Sequence, residues 1–161
     1  MKPWKPTLAS LLSLIVCGAC APANPPADAS TEYARGPGNP YEESFASEAG
    51  VRPIKFGGWI KTLKEGDGPA PTSDSVVTVH YRGTLTDGTE FDSSYGRGQP
   101  ATFPLQNVIR CWTFGVPMMK LGEKAKLVCP AAVAYGSKGA PPDIPGGATL
   151  AFEIELLSIV K

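Results

Sequence analysis

The sequence predicts an α+β domain in which an antiparallel sheet of five or six strands wraps around one short helix. Three observations support this fold. Apolar and polar residues alternate in several short runs, most clearly at 124–129 and 150–156. Only residues 107–116 place apolar side chains at helical spacing. The 18 glycines and 17 prolines concentrate in the N-terminal third and between the runs, as in a turn-rich β domain.

The first half of the domain reads as short strands joined by turns. A strand begins near Phe56–Ile60, and a second one covers 75–82 with its apolar residues on a single face. Asp87–Gly88 provides a tight turn, because glycine tolerates the positive φ that such a turn needs. A strand through Glu90–Phe91 follows, and 101–105 is a short extended stretch.

The second half contains the predicted helix and two further strands. The helix covers 107–116 and ends at Pro117, which cannot continue a helix. Residues 124–129 alternate again and predict a strand. A loop with three prolines and four glycines covers 134–148, and the alternating run 150–156 predicts the last strand.

Length and charge restrict the class of protein. A chain of 161 residues suits one domain with a sizeable core. The formal net charge is zero and only 19% of residues are charged, which argues against a nucleic-acid partner. We divide the chain into a signal segment (1–20), a flexible tether rich in Pro, Ala and Gly (21–54) and the folded domain (55–161).

The N-terminus has the pattern of an export signal. Lys2 and Lys5 precede a short apolar core at 8–16, far below the roughly 18–20 apolar residues of a bilayer span. Residues 16–20 resemble a bacterial lipobox, which would make Cys20 the lipidated N-terminus. We therefore expect a protein held by a lipid at the periplasmic face of a bacterial membrane. The alternative is cleavage at the small residues 21–23, which would release a soluble periplasmic or secreted protein.

Five short motifs carry the most specific information in the chain. They are V-H-Y (79–81), G-T-E-F-D-S-S (88–94), V-I (108–109) before Trp112, A-Y-G (134–136) and A-T-L-A-F-E-I-E-L-L (148–157). In this order and spacing they resemble the FKBP-type peptidyl-prolyl cis-trans isomerase domain. The resemblance extends from about Trp59 to Val160.

The resemblance implies a site that rotates X-Pro peptide bonds in an apolar cleft. Trp112 would form its floor, Asp92 would be held by Tyr81 and Arg97, and the Ile109 N–H and the Tyr135 hydroxyl would donate to the substrate. The implied catalytic residues are Tyr81, Phe91, Asp92, Ile109, Trp112, Tyr135 and Phe152, and the implied substrate-binding residues are Arg97, Phe103, Val108 and Ile144.

We expect no cofactor and no metal. His80, the only histidine, lies on the polar face of its predicted strand and has no cluster of further ligands in the sequence. The expected partners are proline-containing segments of unfolded or flexible polypeptides and, by resemblance, macrolides. We expect a monomer whose only membrane contact is the lipid anchor.

Two other functions remain open at the level of sequence. The same cleft could hold proline-containing segments without catalysis, as a binding module or holdase. A structural lipoprotein with a vestigial pocket is a more distant alternative. Ala101 stands where the family often has an aromatic residue, and Asp143 replaces an apolar one beside Ile144. These departures bear on substrate preference and macrolide affinity.

Cys111 and Cys129 form a further pair of interest. An exported chain meets an oxidising compartment, where two remaining cysteines favour a disulfide. Cys129 points inward by alternation, and Cys111 lies on the predicted helix that covers the sheet. We expect a bridge between them; the alternative is two separate buried thiols, since free cysteine packs as a small hydrophobe.

Overall fold

The structure, a computed structural model, describes residues 39–160. The predicted signal segment, the lipidation site Cys20 and the first part of the tether lie outside this range. The elements in it are α1 (Pro40–Ala46), β1 (Val51–Pro53), β2 (Trp59–Lys64), β3 (Val76–Leu85), β4 (Glu90–Ser93), β5 (Ala101–Pro104), α2 (Arg110–Gly115), β6 (Lys124–Cys129) and β7 (Leu150–Val160).

All seven strands belong to one antiparallel sheet, in which six follow the order β1-β2-β6-β7-β3-β4 and β5 pairs with β3. β3 pairs with β7 along its whole length. On its other side, β3 pairs first with β5 and then with β4. The α+β fold with an antiparallel sheet and one short helix over it is therefore confirmed, with β1 as the strand that the sequence did not predict.

One face of the sheet forms the core together with α2. In β3 the side chains of Val77, Val79 and Tyr81 are buried, while Thr78 and His80 between them are half-exposed. β7 repeats this alternation with fully buried Leu150, Ile154 and Leu156 on the same side. The period of two in the sequence is the cause, because successive side chains of a strand point to opposite faces.

The helix is shorter than the predicted range 107–116. Residues 105–107 form a 3₁₀ turn, and the α-helix begins only at Arg110. Val108 (φ −111°, ψ 176°) and Ile109 (φ −59°, ψ 147°) are extended, which breaks the helical path between the two turns. The apolar residues at helical spacing are therefore divided by a bend, and Val108 and Ile109 lie outside the helix.

The predicted tether is wrong for its last part, because residues 39–53 are folded onto the domain. The Asn39 side chain caps α1 by accepting from the Tyr41 N–H (3.0 Å). Phe45 is buried, and Glu42 accepts a hydrogen bond from the Thr149 hydroxyl. The sequence gives little sign of this, since a seven-residue helix with one buried ring shows no sustained period. The folded domain therefore includes residues 39–53 as well as 55–160.

The turn between β1 and β2 contains an unusual residue. Phe56 has φ 68° and is followed by Gly57 and Gly58, which also have positive φ. Glycine adopts this region freely, whereas a side chain there costs roughly 1–2 kcal/mol. Gly58 is also required by space, because a Cβ at this position would lie 2.8 Å from the Val128 carbonyl oxygen.

The structure joins Cys111 and Cys129 in a disulfide, with the two Cα atoms 5.8 Å apart. Both residues are fully buried. The bridge ties α2 to β6 across 18 residues of sequence separation. It therefore fixes a helix that is too short to be stable in isolation.

The disulfide leads to a stability prediction. Replacing both cysteines by alanine (Cys111→Ala, Cys129→Ala) should lower the free energy of unfolding by about 3 kcal/mol, because the unfolded chain regains the freedom of the closed loop. Equilibrium denaturant unfolding measures this difference. Reductant should lower the stability of the wild type and leave the double variant unchanged. Two free thiols by mass spectrometry of the denatured, unreduced protein would rule the bridge out.

Candidate active site

A cavity of about 420 Å³ opens between the start of α2 and the concave face of the sheet. This volume lies in the range of sites for small ligands or short peptide segments. Its lining is mostly apolar. The lining residues are Tyr81, Phe91, Asp92, Phe103, Asn107, Val108, Ile109, Trp112, Tyr135 and Phe152.

Aromatic rings stand edge-on around the Trp112 indole. The ring centroids of Tyr81, Phe103 and Phe152 lie 5.4, 5.7 and 5.3 Å from it, at interplanar angles of 84°, 90° and 83°. Phe91 contacts Phe152 in the same way, at 5.6 Å. Edge-to-face contact is the favoured arrangement of such rings. These four rings come from β3, β4, β5 and β7. Their packing with Trp112 therefore forms only when the sheet and α2 are both folded.

The Trp112 indole is held by packing alone. Only 4% of the residue is exposed, and its Nε1–H is the one buried side-chain polar atom without a hydrogen-bond partner in residues 39–160. An unpaired N–H costs free energy, which the surrounding ring contacts offset. The floor of the cavity therefore presents an apolar surface to whatever enters.

Gly83, which the sequence analysis did not single out, makes room for two of the rings. A Cβ at this position would lie 2.5 Å from Phe91 Cζ and 3.1 Å from Phe152 Cε1. Because Gly83 follows Tyr81 by two residues on β3, it points to the same face of the sheet. The sequence contains a sign of this role, because a glycine inside an alternating strand indicates that other atoms approach its backbone closely.

A hydrogen-bonded cluster forms the polar wall of the cavity. The Tyr81 hydroxyl and the Arg97 guanidinium both donate to the Asp92 carboxylate, and Arg97 Nη2 also lies 2.8 Å from the Tyr81 hydroxyl oxygen. Burial alone would raise the pKa of Asp92, but the bonds from Tyr81 and Arg97 outweigh it and lower that pKa. Burial, with the bond to Asp92, raises the pKa of Tyr81. Asp92 is therefore ionised and Tyr81 neutral near pH 7.

Two residues that line the cavity carry potential hydrogen-bond donors. Ile109 has an extended backbone just before α2, and its N–H makes no hydrogen bond to any residue of the described range. The Tyr135 side chain lies at the rim and is 42% exposed. Both groups could donate to a carbonyl oxygen of a bound peptide.

The structure brings nine of the eleven predicted site residues to one cavity. Arg97 is outside the lining and acts through its bonds to Asp92 and Tyr81. Ile144 is also outside the lining: its backbone pairs with Ala140 in both directions (2.8 and 3.0 Å), and its side chain packs in the core.

Asn107 is a lining residue that the sequence analysis did not propose. It lies at the end of the 3₁₀ turn, and its position at the cavity follows from the bend before α2. The sequence analysis placed Asn107 in a helix over 107–116. It did not predict the bend before α2, and therefore it did not predict that Asn107 lines the cavity.

No group of three or more His, Cys, Asp or Glu side chains in residues 39–160 could hold a metal ion. No helix in the same range has the length and apolar character needed to span a membrane. His80 stacks on the Tyr95 ring at 4.7 Å, and its Nδ1 lies 3.0 Å from the Ser94 hydroxyl.

Comparison with known proteins identifies the family. The profile described as "FKBP-type peptidyl-prolyl cis-trans isomerase" matches residues 68–157, more than half of the chain. The chain therefore belongs to the FKBP-type peptidyl-prolyl cis-trans isomerase family. It is 48% identical over 124 residues to the FKBP-type peptidyl-prolyl cis-trans isomerase FkpA of Aeromonas hydrophila, covering 77% of this chain and 46% of that one.

Solved structures agree with this assignment. FkpA from Escherichia coli is similar with a TM-score of 0.70 and 46% identity, over 74% of this chain and 55% of that chain. A peptidyl-prolyl cis-trans isomerase from Pseudomonas syringae is similar with a TM-score of 0.71 and 36% identity, over 75% and 89% of the two chains. The chain spans about half the length of FkpA relatives that it matches.

The close approach at Gly83 leads to a packing prediction. Gly83→Ala should destabilise the domain by about 1–3 kcal/mol, because the new methyl group must displace the Phe91 and Phe152 rings. Denaturant unfolding measures the loss, and near-UV circular dichroism reports the altered ring packing. Gly96→Ala is the matched control, since its nearest atom is 3.8 Å away and no strain is expected. Equal stability of the two variants would contradict the proposed role of Gly83.

Proposed function

We propose that this domain is a peptidyl-prolyl cis-trans isomerase that accelerates X-Pro bond rotation in flexible or unfolded segments of exported proteins. The observation that carries the proposal is the ring-lined cavity, with Trp112 as its floor and the Asp92 cluster and the Ile109 N–H at its edge. Membership of the isomerase family supports the same reaction.

The chemistry requires rotation about a bond rather than cleavage. Amide resonance gives the C–N bond a barrier of about 20 kcal/mol, and uncatalysed X-Pro isomerisation takes tens of seconds. Rotation removes the resonance, so the twisted amide is less polar across C–N than the planar one. An apolar cavity therefore favours the twisted state over the planar one, which loses more hydration on entry.

Each part of the site has a role in this proposal. The prolyl ring would rest on the Trp112 indole, between the rings that stand edge-on around it. The Ile109 N–H would hold a substrate carbonyl, with the Tyr135 hydroxyl as a second donor. The Asp92 carboxylate, fixed by Tyr81 and Arg97, would lie beside the rotating carbonyl. No proton is transferred, so the cluster positions and polarises rather than acting as an acid or base.

The activity is tested by a cis/trans exchange assay on X-Pro peptides. We expect the wild type to accelerate exchange and at least one of Trp112→Leu, Asp92→Val and Phe91→Ala to lose tenfold or more, about 1.4 kcal/mol of barrier. Circular dichroism must show that the affected variant is folded.

The control for these variants lies outside the cavity. Leu63→Ala changes an exposed apolar residue of β2 and should leave the rate unchanged. If wild type and all three cavity variants bind proline-containing peptides but none accelerates exchange, the domain is a non-catalytic binding module. Affinity for a macrolide would then report only the shape of the cavity.

We further propose that the protein is exported and held by a lipid at the periplasmic face of a bacterial membrane. The support is the sequence of the leader, with Lys2 and Lys5 before a short apolar core and residues 16–20 similar to a lipobox. The alternative is a cleaved, soluble periplasmic or secreted protein. The acyl chain would join Cys20.

Lipidation is tested with Cys20→Ser in a bacterial host. Labelled palmitate should enter the wild type, and the variant should lose both the label and its place in the membrane fraction. Cys17→Leu is the matched control, because it removes the other cysteine of the leader and introduces the residue usual at that lipobox position. Unlabelled wild type in the soluble fraction would instead support simple cleavage.

A further inference from the structure

An aromatic and cationic surface lies on the outer side of α2. It consists of the exposed residues Lys55, Phe56 and Arg110 and the half-buried Phe114, and we name it the α2 patch. The Phe56 and Phe114 rings meet edge-on at 4.8 Å. Lys55 Nζ and Arg110 Cζ each lie 5.0 Å from the centroid of the Phe56 ring.

Phe56 has a backbone conformation that a residue with a side chain rarely adopts. Its φ of 68° suits glycine or asparagine, and the two residues that follow it are glycines. Its ring is 37% exposed, so burial in the core does not account for it. Strained residues of this kind concentrate at functional surfaces. The turn itself would form more readily without the ring.

Within residues 39–160, the two cations of the patch have no carboxylate partner. Ion pairs in the described part of the chain involve other basic residues, and neither Lys55 nor Arg110 has an acidic group within 4.0 Å. Both are exposed. An acidic ligand would therefore find two cations that form no ion pair within the described residues, beside two aromatic rings.

The patch and the cavity lie on opposite sides of α2 and meet at its first turn. Arg110 and Phe114 are four residues apart and share one face, whereas Trp112 between them points to the other. At the start of the helix, Ile109 lines the cavity and the next residue, Arg110, belongs to the patch. Three or four extended residues, about 10–14 Å long, are enough to cross the width of a helix, which is about 10–12 Å.

We propose that the α2 patch binds acidic and aromatic residues that flank the proline of the same polypeptide whose X-Pro bond occupies the cavity. This proposal rests on the proposed function and names a class of substrate for it. The cavity would recognise the prolyl bond, and the patch would select among polypeptides by charge and by aromatic content. The contribution of the patch should decrease as salt screens the cations.

The test compares peptides that share one core. The short peptide is Ala-Leu-Pro-Phe. Two longer peptides add Glu-Phe-Glu-Glu to its N-terminal or C-terminal side, and two more carry Lys in place of Glu. We expect one of the acidic peptides to have a kcat/KM about fivefold above that of the short peptide at low salt, through a lower KM. The Lys peptides should gain nothing.

Two variants of the full-length protein assign that gain to the patch. Lys55→Gln combined with Arg110→Gln should abolish the gain and leave the rate on the short peptide unchanged. Lys64→Gln is the matched control, an exposed lysine of β2 outside the patch. Phe56→Gly should also abolish the gain while thermal stability stays equal or rises, because strain is removed. A merely structural role for Phe56 predicts lower stability instead.

The possible outcomes separate this proposal from its alternatives. Equal kcat/KM for all peptides, or a gain that survives the patch variants, overturns it while the proposed isomerase activity stands. No acceleration of the short peptide by the wild type contradicts the proposed function itself. If the patch variants change only the co-sedimentation with phosphatidylglycerol vesicles and not the peptide kinetics, the patch faces a lipid surface, and the polypeptide proposal is wrong.

Discussion

The edge-to-face packing of three rings around the Trp112 indole is the interaction on which the cavity depends. Such a pair contributes about 0.5–1.5 kcal/mol beyond the burial of its area. Tyr81, Phe103 and Phe152 come from three different strands, so the contacts also hold α2 against the sheet. Because the rings stand edge-on and Gly83 leaves space behind two of them, their arrangement leaves a hollow rather than a filled core. The same packing that stabilises the domain therefore shapes its site.

An ionised carboxylate beside this apolar hollow needs support, because removing a charge from water is costly unless the charge is hydrogen-bonded. Asp92 has that support from Tyr81 and Arg97. Arg97 lies in the loop after β4, outside the cavity lining that Asp92 and Tyr81 help to form. Its guanidinium therefore binds Asp92 while it remains in contact with water. The cavity thus has a polar wall and an apolar floor. A substrate that is polar at its carbonyl and apolar at its ring fits both at once.

The parts predicted correctly from sequence are those in which one residue pattern acts over a whole element. The alternation of apolar and polar residues predicted β3, β6 and β7. The motif resemblance predicted most of the residues that line the cavity. The sequence patterns failed to predict local structures that depend on contacts with residues distant in the chain or on bonds within a loop. The short helix α1 forms because Phe45 and Glu42 find partners elsewhere in the chain. In the same way, the backbone bridge between Ala140 and Ile144 lies inside a loop, where the sequence has no periodicity to predict it.

The rotational position of α2 determines two surfaces at once, the cavity on its inner face and the α2 patch on its outer face. It has six residues, fewer than an isolated helix needs, so packing and the bond from Cys111 to Cys129 must hold it. Cys111 immediately precedes Trp112, and the disulfide therefore restrains the segment that carries the floor of the cavity. A slip of one residue would rotate the helix by about 100°, since a turn takes 3.6 residues. That rotation would withdraw the indole from its rings and would also move Arg110 and Phe114 away from Phe56. The inner and the outer face of α2 are consequently fixed by the same contacts, and a mutation that loosens the helix should disturb both.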